Sequence, residues 1–202
     1  MSLYPLMLDG SALSAVIIGG GAVAVRKVSA LLAAGARVRV VAPEFSPELE
    51  TLAGESPLEL VRDCYAKGHI GDAALVVAAT NSDAVNAEVA ADAKALGRLV
   101  NVASAPTLGN CITPAVHRSG DVVIAVTAGG VPNAAARIRD HIAHRVDERY
   151  ADAVKELSSL RRSLIDRDQR DRWSSATAAL LDDDFCRRVE SGLFGEALAE
   201  WR

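Results

Sequence analysis

Three consecutive glycines between an apolar run and an amphipathic segment constrain the fold of this chain more than any other feature. The run Ser14–Ile18 is short and rich in β-branched residues, and it stops at Gly19-Gly20-Gly21. Over residues 22–34 the apolar side chains follow helical spacing, and Gly35 supplies a helix stop. The pattern predicts a buried strand, a glycine turn and a helix in that order, which is how a βαβ unit begins.

The alternation of apolar strands and helical segments continues to residue 104. Further strands are predicted at residues 37–41, 58–62, 74–79 and 99–103, and helices at 47–52 and 82–96. The run at 74–79 is apolar throughout, which is typical of a parallel strand covered on both faces. We therefore predict an α/β fold in which residues 1–113 form a Rossmann-type, doubly wound parallel sheet.

The pattern changes after Ser104. Prolines and a glycine mark an irregular connection, after which we predict one strand at residues 121–127 and one helix at 133–150. No strand is predicted in 151–202, where apolar residues at helical spacing indicate one helix around 154–164 and another around 180–189. The predicted division is thus 1–113, 114–150 and 151–202, the last a helical C-terminal region.

Composition narrows the possible partners. The net charge of −4 and the pI of about 5.6 argue against nucleic acid or an anionic membrane as the main partner. No apolar run reaches the roughly 20 residues of a membrane span, and residues 1–10 lack a signal-peptide pattern, so a cytoplasmic protein is expected. The three cysteines are far apart and indicate small buried thiols, with neither a disulfide framework nor a zinc site.

The glycine turn fits the G-x-G-x-x-A pattern of dinucleotide-binding loops. Gly19 permits the tight turn, Gly21 lets a pyrophosphate approach the backbone, and Ala24 allows close helix–strand packing. Backbone N–H groups at the helix start would hold the phosphates. The alternative is a glycine turn without a ligand. The predicted phosphate-binding residues are Gly19, Gly20, Gly21, Ala22 and Val23.

The end of the second strand predicts which dinucleotide binds. It reads Val41-Ala42-Pro43-Glu44, and an acid near this position hydrogen-bonds the ribose of NAD. No Arg or Lys stands beside Glu44 to accept a 2′-phosphate, so NAD is favoured over NADP, with Pro43 and Glu44 at the adenosine end. The alternative for Glu44 is a solvated loop acid.

Polar residues follow the fourth strand and lie in the fifth. Since ligands of open α/β sheets bind over the carboxyl ends of the strands, Thr80, Asn81 and Asn101 are predicted to contact the cofactor. Each of them could equally serve turn chemistry, because Thr and Asn readily bond their own backbone.

Motifs spread along the chain resemble those of the dehydrogenase/ferrochelatase module of the siroheme synthase family. The resemblance is good over residues 4–145 and loose over the helical tail. Its motifs are Tyr4-Pro5-Leu6, GGG-x-VA-x-RK at 19–27, LL-x-AGA at 31–36, Ala78-Ala79-Thr80-Asn81, Val100-Asn101-Val102, Thr113-Pro114-Ala115 and the Ala-Val-Thr-Ala-Gly-Gly segment at 125–130.

The resemblance implies NAD-dependent oxidation of precorrin-2 to sirohydrochlorin, followed in some members by iron insertion. It also implies a homodimer, with residues 114–150 as a dimerisation segment and the helical tail closing the site. The substrate carries many carboxylates, so cationic side chains should hold it. The predicted substrate-binding residues are Thr127, Arg118 and Arg137, with Arg139 a further possibility; exposed surface charge is the alternative for each arginine.

One departure from the family pattern affects the chemistry. The resemblance implies an aspartate in VNV-x-D-x-P, but Ser104 stands there, and a serine hydroxyl without an activating partner is no base. Either the base lies elsewhere, or the acid is less essential, or an activity has been lost. His117 is the replacement we predict, with a surface histidine as the alternative and Asp121 as a weaker choice. Ser104 and His117 are thus the catalytic residues we consider.

These observations lead to precorrin-2 dehydrogenase as the main hypothesis. A bifunctional precorrin-2 dehydrogenase/sirohydrochlorin ferrochelatase is the nearest alternative. A non-catalytic NAD-sensing protein is a hypothesis of another class, and Ser104 motivates a further one, a tetrapyrrole carrier that has lost its activity.

Overall fold

The computed structural model describes residues 2–202 and divides the chain into two compact units. The first unit ends at Thr113, and the second runs Pro114–Arg202.

A parallel five-stranded sheet forms the centre of the first unit. Its strands lie in the order β3-β2-β1-β4-β5, so the chain builds outward from β1 in one direction and then crosses to β4 on the other side. The predicted Rossmann-type sheet is confirmed, and the change of direction falls between β1 and β4. The strands are β1 (Ser14–Ile18), β2 (Arg37–Ala42), β3 (Leu58–Arg62), β4 (Leu75–Ala78) and β5 (Leu99–Val102).

Helices cover both faces of this sheet. Helices α1 (Ala22–Ala33) and α2 (Pro47–Glu55) pack on one face, and α3 (Asp83–Ala95) packs on the other. Ile17 belongs to the core under α1, while its neighbour Ile18 belongs to the core under α3, because successive side chains of a strand point to opposite faces. Helix α2 begins where predicted but continues to residue 55, three residues past its predicted end at 52.

The second unit begins with a hairpin. Strands β6 (Ala115–Ser119) and β7 (Val122–Val126) pair antiparallel, and Gly120 in the tight turn has φ +53°. The prediction of a single strand at 121–127 was incomplete. Strand β6 carries His, Arg and Ser, which give no strand signal, so its structure depends on the pairing with β7 rather than on local preference.

Five helices complete the second unit, and two predicted boundaries were wrong. The helix predicted at 133–150 is two helices, because the Asp147 side chain accepts the N–H of Arg149 and starts a new one. The helix predicted around 180–189 is also split, because one helix ends at Leu180 and the next begins at Phe185, and Arg188 donates back to the carbonyl of Leu180 across the turn. The helices are α4 (Pro132–Ala143), α5 (Glu148–Asp166), α6 (Arg170–Leu180), α7 (Phe185–Ser191) and α8 (Phe194–Ala199).

The last features of the fold are the exposure of the cysteines and the hydropathy of the helices. Cys64 and Cys186 are exposed and Cys111 is half-buried, so the expectation of three buried thiols was wrong. None of the helices within 2–202 combines the length and the hydropathy needed to span a membrane.

Candidate functional site

The first two glycines of the loop are required by close backbone contacts. Gly19 has φ +124°, and its N–H donates to the Val41 carbonyl at 2.9 Å. A Cβ at Gly19 would lie 2.3 Å from the carbonyl oxygen of Ala79, and one at Gly20 would lie 2.1 Å from that of Glu44. The loop is therefore fixed against the ends of β2 and β4 by contacts that only glycine permits.

Gly21 is different, because the space beside it is open. No atom lies within 4 Å of the position that a Cβ would take, and Gly21 is the N-cap residue of α1. The helix has neither a side-chain cap nor an acid in its first turn. Within residues 2–202 the backbone N–H groups of Ala22 and Val23 have no acceptor. Open space, free donors and the positive end of a helix fit a pyrophosphate.

The loop after β2 lies beside the glycines. Pro43 and Glu44 are exposed, and the N–H of Ser46 donates to the carbonyl of Gly20 at 2.9 Å. The sequence reasoning missed one cation here. Arg62, at the end of β3, lies over the ring of Phe45 at 5.1 Å from its centroid and pairs with Glu50 at 2.9 Å. The register of β2 with β3 is what brings this arginine to the loop, and local sequence does not reveal it.

A buried asparagine joins the ends of β4 and β5. Asn86 is 1% exposed, and its Oδ1 accepts both the N–H and the hydroxyl of Thr80, at 3.1 and 2.8 Å. Its Nδ2 donates to the Thr80 carbonyl at 3.0 Å and to Oγ of Ser104 at 3.4 Å. Asn86 thus holds two of the predicted site residues together. The sequence did offer a signal, since Asn86 shares the buried face of α3 with Val89 and Ala90.

The side chains of three predicted site residues, Thr80, Asn81 and Ser104, differ in how far their hydrogen-bonding groups are already used within the protein. The Thr80 hydroxyl also accepts the N–H of Ser82, so its hydrogen bonds go to turn and network partners. Asn81 is exposed and makes no side-chain hydrogen bond within the described chain. Ser104 is exposed after β5, and its hydroxyl keeps the capacity to donate to a ligand while it accepts from Asn86.

Asn101 lies within β5 and not in the loop that follows its carboxyl end. It is 4% exposed and in register with Val77 and Ile17, so its side chain is on the face that α1 covers. Its Nδ2 donates to the carbonyl of Cys111 at 3.2 Å, and its Oδ1 has no partner among the described residues.

Lys27 lies in the same part of the molecule, and the sequence reasoning gave it no role. It belongs to α1, and its Nζ donates to the Thr113 hydroxyl. Burial, followed by the charge of Arg26, lowers the pKa of the Lys27 ammonium. Burial raises the pKa of the neighbouring Cys111 thiol, and the charge of Lys27 acts in the opposite direction. The signal for Lys27 was its place in the GGG-x-VA-x-RK motif.

The remaining predicted residues belong to the second unit. His117 Nε2 lies 2.6 Å from the Val146 carbonyl oxygen, so in the neutral ring Nε2 carries the proton and Nδ1 is the acceptor. Arg118 is adjacent on β6 and therefore lies on the opposite face of the hairpin. Arg118 and Arg137 are exposed and form no ion pair within residues 2–202. Thr127 is exposed just after β7.

Curated proteins of related sequence match most of the length of this chain. It is 37% identical over 167 residues to the siroheme synthase of Saccharophagus degradans, a match that covers 82% of this chain and 36% of that protein. It is 40% identical over 162 residues to the siroheme synthase of Chromobacterium violaceum, covering 80% of this chain and 34% of that protein. The chain therefore spans about a third of the length of these two relatives.

A solved structure matches both units. The structure titled "SirC, precorrin-2 dehydrogenase" superimposes with a TM-score of 0.78 at 28% identity, covering 98% of this chain and 100% of that chain. A family model described as "Putative NAD(P)-binding" matches residues 6–115, which is more than half of the sequence and contains the whole parallel sheet. The chain belongs to this NAD(P)-binding family.

Proposed function

We propose that this protein is a precorrin-2 dehydrogenase, which uses NAD⁺ to oxidise precorrin-2 to sirohydrochlorin. The observation that carries the proposal is the similarity of the fold, along 98% of the chain, to a solved precorrin-2 dehydrogenase. The open glycine loop adds a site for the cofactor on the parallel sheet. Its relatives named siroheme synthase act in the same area of tetrapyrrole chemistry.

The cofactor is NAD, and the residues around the loop would hold it. The N–H groups of Ala22 and Val23 bind the phosphates, and the Glu44 carboxylate binds the adenosine ribose. Asn81 is free to bind farther along the edge, and Thr80 contributes through the shape of its turn. When bound, NAD⁺ supplies the acceptor for a hydride. Arg62 pairs with Glu50, and this exposed pair would have to break before Arg62 could bind the 2′-phosphate of NADP.

Proton removal needs a base, and His117 is the one we propose. The Val146 carbonyl holds Nε2 as the donor, which fixes the ring orientation and leaves Nδ1 to accept the proton. Ser104 orients the substrate through its hydroxyl, itself held by Asn86. The substrate is a polycarboxylate, and Arg118, Arg137 and Thr127 bind its acidic groups through free donors on the second unit.

The protein works in the cytoplasm as a homodimer, and residues 114–150 form the interface. In support, a two-stranded hairpin is marginal by itself, and this one is accompanied by exposed apolar side chains. Val116, Val131 and Ile138 are 37%, 55% and 47% exposed. Burial of these side chains against a second copy would stabilise both hairpins.

The decisive experiment follows NADH formation at about 340 nm with purified protein, NAD⁺ and freshly prepared precorrin-2. We expect turnover, and we expect His117→Ala to lower kcat by about 100-fold because it loses the general base. His144→Ala, which removes an exposed histidine from the same unit, is the matched control and should leave kcat unchanged. NAD⁺ binding without turnover of precorrin-2 would overturn the proposal in favour of a sensor or a carrier.

A second activity is favoured by the identity of 37% and 40% to proteins named siroheme synthase. In this alternative the same chain also inserts iron into sirohydrochlorin, with iron as a substrate. Anaerobic incubation of the purified protein with sirohydrochlorin and Fe²⁺, followed by absorbance, tests it. Acceleration over the reaction without protein would support the bifunctional enzyme, and the spontaneous rate alone would exclude it.

A further inference from the structure

Lys27 is a charged side chain that the protein itself does not neutralise. It is half-buried, its Nζ has the neutral hydroxyl of Thr113 as its partner, and no carboxylate pairs with it within residues 2–202. An ammonium has three donors, so two of them remain available. Holding a partly buried cation without an anion is unfavourable, and an anionic ligand would remove that cost.

A second group on the same face lacks a partner. Asn101 is 4% exposed, and its Oδ1 accepts no hydrogen bond in the described chain. The peptide segment of Cys111 connects the two groups, since its carbonyl accepts from Asn101 and its thiol is close enough to Lys27 to feel the ammonium charge. Buried polar atoms are nearly always satisfied, so the segment around Cys111 has an unused acceptor in Asn101 Oδ1 in addition to the unpaired ammonium of Lys27. An anion would supply the acceptor that Lys27 lacks, and water can satisfy Asn101 Oδ1.

The position of this cluster indicates which anion it takes. The N–H of Asn110 donates to Val100, and the Cys111 carbonyl accepts from Asn101, so the segment leading to Thr113 advances toward the carboxyl end of β5. Strand β5 is three strand spacings, or about 14 Å, from β2, where Glu44 marks the adenosine end. The cluster is therefore remote from the adenosine end, on the side of the sheet where the nicotinamide half of the cofactor and the substrate that it oxidises would lie.

The cofactor phosphates are also an unsuitable partner. Lys27 lies five residues after Ala22, which is about 7.5 Å farther along the helix axis than the free N–H groups. Its ammonium donates to Thr113, two residues after Cys111, whose N–H donates to the carbonyl of Val100 in β5. The phosphates have their own donors in the N–H groups of Ala22 and Val23.

We propose that Lys27, together with the Thr113 hydroxyl, binds a carboxylate of the tetrapyrrole and so positions it at the β5 side of the carboxyl edge. This inference rests on the proposed function, which supplies a substrate with carboxylates. Lys27 is a binding and positioning residue, and it takes no part in the transfer of hydride or proton. It adds a cationic substrate contact in the first unit, whereas Arg118, Arg137 and Arg139 all belong to the second unit.

The test measures equilibrium binding of sirohydrochlorin, the product, by absorbance titration without NAD⁺. Lys27→Met keeps the aliphatic stem and removes the charge, and we expect it to raise the Kd about 10-fold. Arg26→Met removes the same charge from the adjacent exposed position and should change the Kd less than about twofold. Lys27→Arg should restore most of the affinity. The Kd of NAD⁺ should be the same in all of these variants.

The permethyl ester of sirohydrochlorin identifies the interaction. The wild type should bind the free acid better than the ester, and Lys27→Met should lose most of that difference. An unchanged Kd for the free acid in Lys27→Met would overturn the inference, and so would a loss confined to NAD⁺ binding, which would assign Lys27 to the phosphates. Wild-type protein that makes no NADH from precorrin-2 would instead contradict the proposed function, and that assay does not involve the variants.

Discussion

The glycine loop and the β4–β5 edge, by which we mean the carboxyl ends of β4 and β5 with the residues that follow them, lie at the same end of one sheet. Two different kinds of interaction hold these regions in place. Backbone contacts fix the loop, with Gly19 and Gly20 so close to neighbouring carbonyls that no side chain fits. Side-chain hydrogen bonds fix the β4–β5 edge, where Asn86 links Thr80 to Ser104. The loop therefore keeps its N–H donors free for a ligand, whereas the edge uses most of its polar groups internally. The first region thus has unused donors, and the second has polar side chains that already hold one another in place.

The largest effect should follow from a methyl group at Gly19. In Gly19→Ala the Cβ would meet the Ala79 carbonyl at 2.3 Å in a backbone with φ +124°. The backbone must shift, and we expect the free energy of unfolding to fall by about 3 kcal/mol or more. We also expect NAD⁺ binding to be lost. Urea unfolding followed by circular dichroism measures the first and calorimetry the second. A stable variant with normal NAD⁺ affinity would show that the loop is not held by this contact.

Gly21→Ala is the matched control and separates binding from folding. The φ of Gly21 is −95°, and no protein atom opposes a Cβ there. Stability should change by less than about 0.5 kcal/mol, while the Kd of NAD⁺ should rise about 10-fold because the methyl group occupies the space of the pyrophosphate. Equal NAD⁺ affinity in this variant would place the phosphates elsewhere.

The next effect tests the β4–β5 edge through Asn86. Leucine at this position removes four hydrogen bonds and leaves the N–H and carbonyl of Thr80 without these partners. We expect Asn86→Leu to lower the free energy of unfolding by about 2–3 kcal/mol, and to alter kcat by less than about threefold because the Ser104 hydroxyl that Asn86 holds only orients. Asn81→Ala, an exposed position at the same edge, should alter stability by less than about 0.5 kcal/mol. If the two variants were equally stable, side-chain hydrogen bonds would not be what holds this edge.

A moderate gain is expected when Ser104 is made acidic. The resemblance to the siroheme synthase family implies an aspartate there, and the Asn86 amide is already placed to donate to a carboxylate. We expect Ser104→Asp to raise kcat about 10-fold, equivalent to about 1.4 kcal/mol, by adding a proton acceptor. Ser104→Ala should alter kcat by less than about threefold, since the hydroxyl only orients. A decrease in Ser104→Asp would indicate that the present site excludes negative charge.

The same comparison explains which parts of the molecule could be predicted from sequence. Ser14–Ile18 followed by three glycines specifies a strand, a turn and a helix through local preferences, and the parallel sheet followed from repetition of that pattern. The Asn86 link was missed because it depends on the side chains of two separate strand ends meeting one helix. Strand β6 was missed because its residues become a strand only by pairing with β7. Local sequence patterns thus predict individual helices and strands, whereas the contacts between them become known only from the structure.

The smallest effect concerns how Lys27 changes the stability of the protein as the pH rises. Burial lowers the pKa of this ammonium in the folded protein below its ordinary value of 10.5. The unfolded chain then binds more protons in the interval between the two pKa values, so the stability of the wild type rises with pH across that interval. The penalty of the unpaired cation is fully present at neutral pH. Lys27→Met should therefore be slightly more stable than the wild type at pH 7, by on the order of 0.5 kcal/mol after screening by solvent.

The advantage of Lys27→Met should shrink as the pH approaches 10.5, where the wild-type amine loses its charge in both states. Urea unfolding at intervals from neutral pH to about 10 measures the difference between the two proteins. Cys111, whose raised pKa lowers stability above its ordinary value of 9.0, is present in both proteins, and most of its contribution cancels in the difference. A gap that stayed constant with pH would mean that packing of the stem, and not the charge, distinguishes the variants. A less stable variant at pH 7 would mean that the protein already neutralises Lys27, and the edge beside β5 would then be as self-contained as the Asn86 network.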